Sequence, residues 1–294
     1  MKKYMHGVIN HIKPKLLMLV LTLSFIPLLA DTCSGLTHTL RVVASIAPLA
    51  DFARQVGKDR VAVTLLLPPG ASPHTYEPTP RTITSITKAD LFITVGSGLE
   101  FWADRLITAL DDSVLVVTFT DMQNLFPDDP HIWLDPLISI EMIHKIRDAF
   151  SKKDPEYALF YRQQAADFIK KLRSLDEEIA ERVGAFRTRS FVTFHNAWAF
   201  FARRYDLRIA GVIEEGPGKE PTARHLDHIL DKLKRMDIRV IFAEPQFNPR
   251  VAEAVAREAG GTVLILDPIG GQNERVTYID MMRYNLQVME QVMK

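Results

Sequence analysis

Residues 238–266, IRVIFAEPQFNPRVAEAVAREAGGTVLIL, contain a strand pattern, a helix pattern and a second strand pattern in direct succession. The outer segments, 238–243 and 262–266, are apolar runs without strict alternation, which is typical of strands buried on both faces of a parallel sheet. Residues 249–259 between them have the spacing of an amphipathic helix. This alternation predicts α/β architecture, in which helices cover a parallel sheet.

The same alternation of strands and helices extends from this stretch back to Leu40. Further strands are predicted at 40–45, 60–67, 91–95, 113–119, 191–194 and 207–213. Further helices are predicted at 48–56, 99–110, 197–204 and 222–236. A hydrophobic fraction of 47% over 294 residues excludes a disordered or collagen-like chain and is enough for two cores. The predicted fold is therefore two α/β lobes with parallel-type sheets.

A helical segment, 154–186, separates the two lobes. Asp154 is a good N-cap and Pro155 a good first helical residue, and apolar side chains then recur every three or four positions. About 30 residues at ~1.5 Å each make a rod of roughly 45 Å, which predicts one long rigid helix. The alternative is two helices with a tight break. The expected domains are an N-terminal lobe at 31–153, the linking helix, and a C-terminal lobe at 187–294.

The N-terminus has the pattern of a secretory signal. Four lysines and no acidic residue precede the apolar run 16–30, which Pro27 interrupts and which is too short to span a membrane. Residues 1–30 are therefore predicted to be a signal peptide and the mature protein to be extracytoplasmic or periplasmic. Cys33 is a candidate for a lipid anchor, but Asp31 and Thr32 before it match such a site weakly, so anchoring is the less favoured outcome.

Charge and cysteine content exclude several classes of protein. The chain has 36 basic and 36 acidic residues, and removing the four lysines of the leader leaves 36 − 4 = 32 against 36, a net charge of −4. A nucleic-acid-binding protein normally carries a basic excess, so no nucleic-acid partner is expected. One cysteine excludes an internal disulfide and a four-cysteine zinc module. The motifs GxGxxG and GxxxxGK are absent, so nucleotide binding has no support.

Four potential metal ligands follow predicted strands, two in each lobe. They are His74 in PPGASPHTYEPTP, His131 in DDPHIWLDP, His195 in FVTFHNAW and Asp267 in LILDPIGG. A single histidine after a strand is more often a hydrogen-bonded loop residue than a ligand. Ligands of open α/β sheets, however, bind beyond the carboxyl ends of the strands, and all four residues lie there. Three imidazoles and a carboxylate suit Zn²⁺, which predicts a metal site in the cleft between the lobes.

Other polar residues are weaker candidates for the same chemistry. Glu244 also follows a strand and could replace or supplement a ligand. Glu77 could orient an imidazole, serve as the general base of a hydrolase, or be a plain loop carboxylate. His225 and His228 are three residues apart on one helix and could share a metal, although a solvated face is the simpler interpretation.

The motifs around these residues, together with KADLFITVGSGLEFW, FHNAWAFFARRYDLRIAG and KEPTARHLDHIL, resemble the zinc/manganese solute-binding proteins of ABC importers (the cluster A-I family). The resemblance covers nearly the whole mature chain. It implies two lobes joined by a long helix, with His74, His131, His195 and Asp267 at the four ligand positions. It also implies delivery of the metal to a membrane permease driven by a cytoplasmic ATPase. The protein is expected to be a monomer without enzymatic activity.

Two departures from the family pattern concern the choice of metal. Residues 122–130 lack the His- and acid-rich insertion of many zinc-uptake members, and His195 stands where manganese-selective members tend to have Glu. A third imidazole favours Zn²⁺, and Mn²⁺ remains the alternative. Two other functions are compatible with the residues alone: a secreted zinc-dependent hydrolase using Glu77, and a binder of a metal chelate or haem with a wide cleft.

Overall fold

A computed structural model describes residues 39–96, 98–120, 129–216 and 218–294. The predicted signal peptide 1–30 and Cys33 lie outside these ranges. Within them, no helix combines the length and apolar character that crossing a membrane requires.

The N-terminal lobe contains a four-stranded parallel sheet in the order β2-β1-β3-β4. Its strands are β1 (Leu40–Ala44), β2 (Val61–Leu65), β3 (Leu91–Ile93) and β4 (Leu115–Val117). Central strands β1 and β3 are the most apolar, and Val42, Leu91 and Ile93 have no exposed surface. Burial on both faces explains why these strands lack the alternation of a half-exposed strand.

The C-terminal lobe repeats this arrangement, with the order β6-β5-β7-β8 and all pairs parallel. Its strands are β5 (Ser190–His195), β6 (Arg208–Glu214), β7 (Val240–Ala243) and β8 (Thr262–Ile265). Parallel strands end at one edge of a sheet, and chain connections diverge between β1 and β3 and between β5 and β7. Such divergence points are where open α/β sheets bind ligands.

Helices cover the sheets, as the α/β prediction requires. They are α1 (Ala47–Gly57), α2 (Pro80–Thr87), α3 (Phe101–Ile107), α4 (Pro136–Lys153), α5 (Ala158–Gly184), α6 (Ala199–Arg204), α7 (Ala223–Arg235), α8 (Arg250–Glu258) and α9 (Tyr278–Met293). The two-lobe α/β fold with parallel sheets is thus confirmed.

Helix α5 is the long helix that connects the lobes. Its 27 residues are continuous, which excludes a tight break within Ala158–Gly184 and gives a length of about 40 Å at ~1.5 Å per residue. The prediction that Asp154 caps this helix is wrong, because α5 begins after a separate 3₁₀ turn, Pro155–Tyr157. The Asp154 carboxylate instead accepts a hydrogen bond from the Tyr161 hydroxyl at 2.7 Å and pairs with Arg60 at 3.1 Å. These contacts tie the start of α5 to the N-terminal lobe.

The largest hydrophobic core of the described residues runs through both lobes along α5, and each lobe has a smaller cluster of its own. Buried side chains of α5, among them Phe168 and Leu172, belong to the same cluster as Val42 of the first sheet and Phe242 of the second. Helix α9 reinforces this junction by packing on both α5 and α1. The described ranges therefore form one compact unit, and the boundaries predicted for the lobes remain a prediction.

Candidate metal site

His74 lies on the loop that leads from β2 to α2, and this loop is anchored to α3. The Trp102 indole Nε1 donates to the Pro73 carbonyl at 3.1 Å, directly before His74. The Trp102 ring also contacts the Tyr76 ring edge-on, with centroids 5.4 Å apart. Pro73 and Tyr76 flank His74, so the anchor holds both sides of the histidine at the carboxyl-end edge of the sheet.

His131 and His195 are each oriented by a carboxylate on Nδ1. The Asp129 Oδ1 atom is 2.7 Å from His131 Nδ1, and the Glu244 Oε2 atom is 3.2 Å from His195 Nδ1. An ionised carboxylate can only accept, so Nδ1 carries the proton in each ring and Nε2 keeps its lone pair. This arrangement is typical of histidines that bind metal through Nε2. Asp129 was not singled out from the sequence, although it stands two residues before His131 in the DDPH motif.

The three histidines converge on one point. One ring nitrogen from each lies within 4.8 Å of the others, and the Nε2 atoms of His74 and His131 are 3.3 Å apart. Two imidazole nitrogens bound tetrahedrally to Zn²⁺ at ~2.0–2.1 Å would be about 3.3–3.4 Å apart. The observed separation of His74 and His131, which also allows a hydrogen bond between the two nitrogens, thus matches the spacing that a shared zinc ion requires. Across the described ranges, no other group of three His, Cys, Asp or Glu side chains comes this close.

Several buried polar atoms around the histidines lack hydrogen-bond partners among the described residues. They are His74 Nδ1, Asp129 Oδ2, Glu244 Oε1 and Gln246 Oε1. His74, Glu244 and Gln246 line the same small cavity as His131 and His195. An unpaired buried polar group costs about 1–3 kcal/mol, so such groups are rare unless a ligand or water satisfies them. The grouping of these unpaired polar atoms around the histidines is expected for a site that binds a polar or cationic ligand.

Burial and neighbouring charges set the pKa of each imidazole. Burial, with the nearby His131 and His195, lowers the pKa of His74 from 6.5 to about 3. Burial also lowers the pKa of His131, although Asp129 opposes the shift. Burial acts in the same direction on His195, but the hydrogen bond and charge of Glu244 outweigh it and the pKa is raised. Two of the imidazoles are therefore neutral near pH 7 and ready to bind a cation.

Asp267 lies at the carboxyl end of β8, as predicted, but the structure does not place it in the histidine group. Its Oδ1 atom accepts hydrogen bonds from the backbone N–H groups of Ile269 and Gly270 at 3.0 and 2.9 Å. Its Oδ2 atom is 2.7 Å from Nε of Arg275. Asp267 is nevertheless adjacent to the site, because Pro268 and Ile269 line the histidine cavity. Its role as the fourth ligand remains a prediction.

The weaker candidates lie elsewhere. Glu77 is exposed and does not line the histidine cavity. A ring nitrogen of His225 bonds the Val212 carbonyl at 2.8 Å, and the other lies 3.6 Å from Glu215. His228 is exposed on α7. Glu244, by contrast, lies against His195 and contributes an unpaired oxygen to the cavity.

Comparison with known proteins places these features in a family. Residues 42–292 match the family model described as ZnuA, zinc-uptake complex component A, periplasmic. The zinc-binding lipoprotein AdcA of Streptococcus pneumoniae is 30% identical over 277 residues, which cover 86% of this chain and 55% of AdcA. The chain thus spans about half of the length of that relative. The manganese-binding lipoprotein MntA of Halalkalibacterium halodurans is 29% identical over 258 residues, which cover 84% of this chain and 86% of MntA.

A solved structure supports the same relationship. A crystal structure of ZnuA matches with a TM-score of 0.78 at 29% identity, over 86% of this chain and 99% of that chain. The periplasmic description of the family confirms the predicted extracytoplasmic location. The expectation that anchoring at Cys33 is the less favoured outcome is not borne out, because both relatives are named lipoproteins. The family model spans both lobes, the linking helix and all three clustered histidines, and the chain therefore belongs to the family of ZnuA, the periplasmic component A of zinc-uptake complexes.

Proposed function

We propose that this protein captures a divalent transition metal outside the cytoplasm, Zn²⁺ in preference to Mn²⁺, and delivers it to an ABC permease in the membrane. The observation that carries the proposal is the convergence of His74, His131 and His195, with Nε2 atoms of two of them at the spacing of a shared zinc ion. Neutral imidazoles suit Zn²⁺ better than Mn²⁺, which prefers oxygen ligands. Sequence identity cannot distinguish the metals, since the zinc-binding and the manganese-binding relative are about equally similar.

Asp267 is the proposed fourth ligand. It directly precedes residues 268 and 269, which line the cavity, so its carboxylate lies next to the three histidines' site. Glu244 is the alternative oxygen ligand, because its Oε1 atom is buried in the cavity without a partner among the described residues. Four protein ligands would close the coordination shell of zinc, which suits storage and transfer and leaves no position for an activated water.

The two competing functions have less support. A zinc hydrolase needs a general base at the metal, and the candidate Glu77 is exposed outside the cavity. Members of the family are transport components, so this chain is not an enzyme. A chelate or haem needs a wide cleft, whereas the three ligand nitrogens lie within 4.8 Å of one another. Native mass spectrometry of the purified protein would distinguish a bare ion from a chelate.

Isothermal calorimetry with Zn²⁺ and Mn²⁺ tests the proposal. We expect tighter binding of Zn²⁺ than of Mn²⁺ by the mature protein, and loss of zinc affinity in His195→Ala. His225→Ala is the matched control, because it removes an imidazole outside the site. Unchanged affinity in His195→Ala, with folding verified by circular dichroism, would contradict the proposed site. If His195→Ala loses zinc affinity, Asp267→Ala tests the fourth ligand: a further loss supports Asp267, and unchanged affinity would favour Glu244 as the oxygen ligand.

The remaining proposals concern the setting of the protein. A permease and its cytoplasmic ATPase are the expected partners, and the protein acts as a monomer without a nucleic-acid partner. Cys33 is the residue through which a lipid would attach. Mass spectrometry of the mature N-terminus, compared with that of Cys33→Ala, would test the attachment.

A further inference from the structure

Asp267 and Arg275 form a buried pair of opposite charges next to the histidine cavity. Asp267 is 1% exposed and the Arg275 side chain 12% exposed, and Oδ2 and Nε lie 2.7 Å apart. A buried carboxylate without a counter-charge is strongly unfavourable, so in the absence of metal the arginine supplies the positive charge that Asp267 needs.

The turn after Asp267 places Arg275 at this carboxylate. The Gly271 N–H donates to the Arg275 carbonyl at 2.7 Å, and the Arg275 N–H donates to the Gln272 carbonyl at 2.9 Å. Gly271 has φ of 81°, and a Cβ there would lie 2.6 Å from the Ala47 side chain, so glycine is required for the turn to pack on α1. The guanidinium also lies over the Tyr284 ring at 4.6 Å from its centroid. The arginine is thus held in place by its backbone and by α9.

The pair is close but poorly aligned. Neither Asp267 Oδ2 nor Arg275 Nε makes a hydrogen bond to any described residue, although the two atoms are in contact. The attraction is therefore mainly between charges, without the directed N–H···O bonds of a well-matched arginine–carboxylate pair. A divalent cation carries a larger charge than a guanidinium and is a better partner for the same oxygen. The Oδ1 atom would keep its two backbone hydrogen bonds during such an exchange.

We propose that Arg275 is an internal competitor of the metal for Asp267: it neutralises the carboxylate in the metal-free protein and must release it before the fourth ligand can bind. This inference rests on the proposed metal-binding function and adds a residue that sets the affinity of the site. If the carboxylate is free of arginine about one-tenth of the time, the apparent affinity is about tenfold weaker than the intrinsic one. The same competition favours release, because Arg275 recaptures Asp267 when the metal leaves.

The test compares zinc dissociation constants of the wild type, Arg275→Gln, Asp267→Asn and the double variant, measured by competition with a chromophoric chelator. We expect Arg275→Gln to bind Zn²⁺ about tenfold more tightly than the wild type. In the Asp267→Asn background the same substitution should have no effect, because the competition needs the carboxylate. Arg239→Gln is the matched control, since it breaks an exposed Nε–carboxylate pair with Asp237 at 2.9 Å in the same lobe.

Thermal unfolding gives a second measurement, and for the metal-free protein it does not involve zinc binding. Arg275→Gln should lower the Tm of the metal-free protein, because it leaves Asp267 buried without a counter-charge, and should leave the Tm of the zinc-loaded protein unchanged. Equal loss of Tm in both states, or zinc binding that is unchanged or weaker, would overturn the inference and indicate that Arg275 stays on Asp267 in the metal-bound state. Failure of the proposed function is distinguishable, because the wild type and Arg239→Gln would then not bind zinc at all.

Discussion

Replacement of Glu244 by Gln tests how the site orients its ligands. Glu244 is 2% exposed and lies at the end of β7, beside the strand that carries His195. Its Oε2 atom is 3.2 Å from His195 Nδ1, and its negative charge raises the pKa of that imidazole. Glutamine keeps the size and one acceptor oxygen but removes the charge. The imidazole then becomes a weaker electron donor to a metal bound at Nε2.

The structure sets the size of the expected effect. Loss of the partner that orients a metal-binding histidine typically costs about 10- to 100-fold in metal affinity, or roughly 1.4–2.7 kcal/mol. The Glu244 contact at 3.2 Å is longer than the 2.7 Å contact between Asp129 and His131, and charge-assisted hydrogen bonds are strongest near ~2.7–2.9 Å. We therefore expect Glu244→Gln to weaken zinc binding by about tenfold and Asp129→Asn to weaken it by more.

Zinc affinity near pH 7.5 would be measured by competition with a chromophoric chelator, and proton release by calorimetry in two buffers of different ionisation enthalpy. Because Glu244 raises the pKa of His195, the wild type should release more protons on binding zinc than Glu244→Gln does. The matched control is Glu215→Gln, which removes an exposed carboxylate 3.6 Å from His225. Affinity of Glu244→Gln within twofold of the wild type, or an equal loss in the control, would refute the reasoning.

Three further predictions concern stability and the His74 loop. Leu172→Ala empties a fully buried position of α5 and should lower the free energy of unfolding by about 2–5 kcal/mol, whereas Leu159→Ala, at a 73% exposed position, should change it by less than about 0.5 kcal/mol in urea titrations. The pKa of His74 is about 3 in the folded protein, compared with 6.5 in the unfolded chain. Between these pH values the unfolded chain binds more protons than the folded protein. The free energy of unfolding of the metal-free protein should therefore fall as pH falls through this window. Denaturant titrations from pH 7 to 4 should therefore give a shallower pH dependence for His74→Gln than for the wild type, and equal slopes would contradict the assigned shift. Trp102→Phe removes the hydrogen bond to the Pro73 carbonyl at 3.1 Å and should weaken zinc binding by about two- to tenfold in the chelator assay, with unchanged affinity indicating that the loop does not depend on this anchor.

Apolar runs were enough to predict the strands, but not their order or full extent. Residues 113–119 are apolar enough to predict a strand, yet β4 covers only Leu115–Val117. It lies at the edge of the sheet, where the residues beyond the paired segment have no neighbour to complete a ladder. The cap at Asp154 was predicted wrongly because its carboxylate has stronger partners, Arg60 and Tyr161, one of them distant in sequence. Local propensity cannot include such partners.

The candidate site was predictable to the extent that strand ends determine it. His74, His131 and His195 converge because the carboxyl ends of parallel strands bring their loops together. The ion pair between Asp267 and Arg275 was not predictable, because Arg275 reaches the carboxylate only through a turn with glycines at positive φ. The role of Asp129 was overlooked for a simpler reason, since an acidic residue before a proline is also an ordinary turn residue.

The continuous core along α5 determines how a bound metal ion would affect the stability of the whole protein. Strands of both sheets share buried neighbours with this one helix, and each half has only a smaller cluster of its own, so residues 31–153 or 187–294 expressed alone should be much less stable than the whole chain. Global unfolding is then a single event for all eight described strands. Zinc bound at the carboxyl ends of the strands would slow amide hydrogen exchange to a similar degree at β1 and at β7, including the strand ends farthest from the ion.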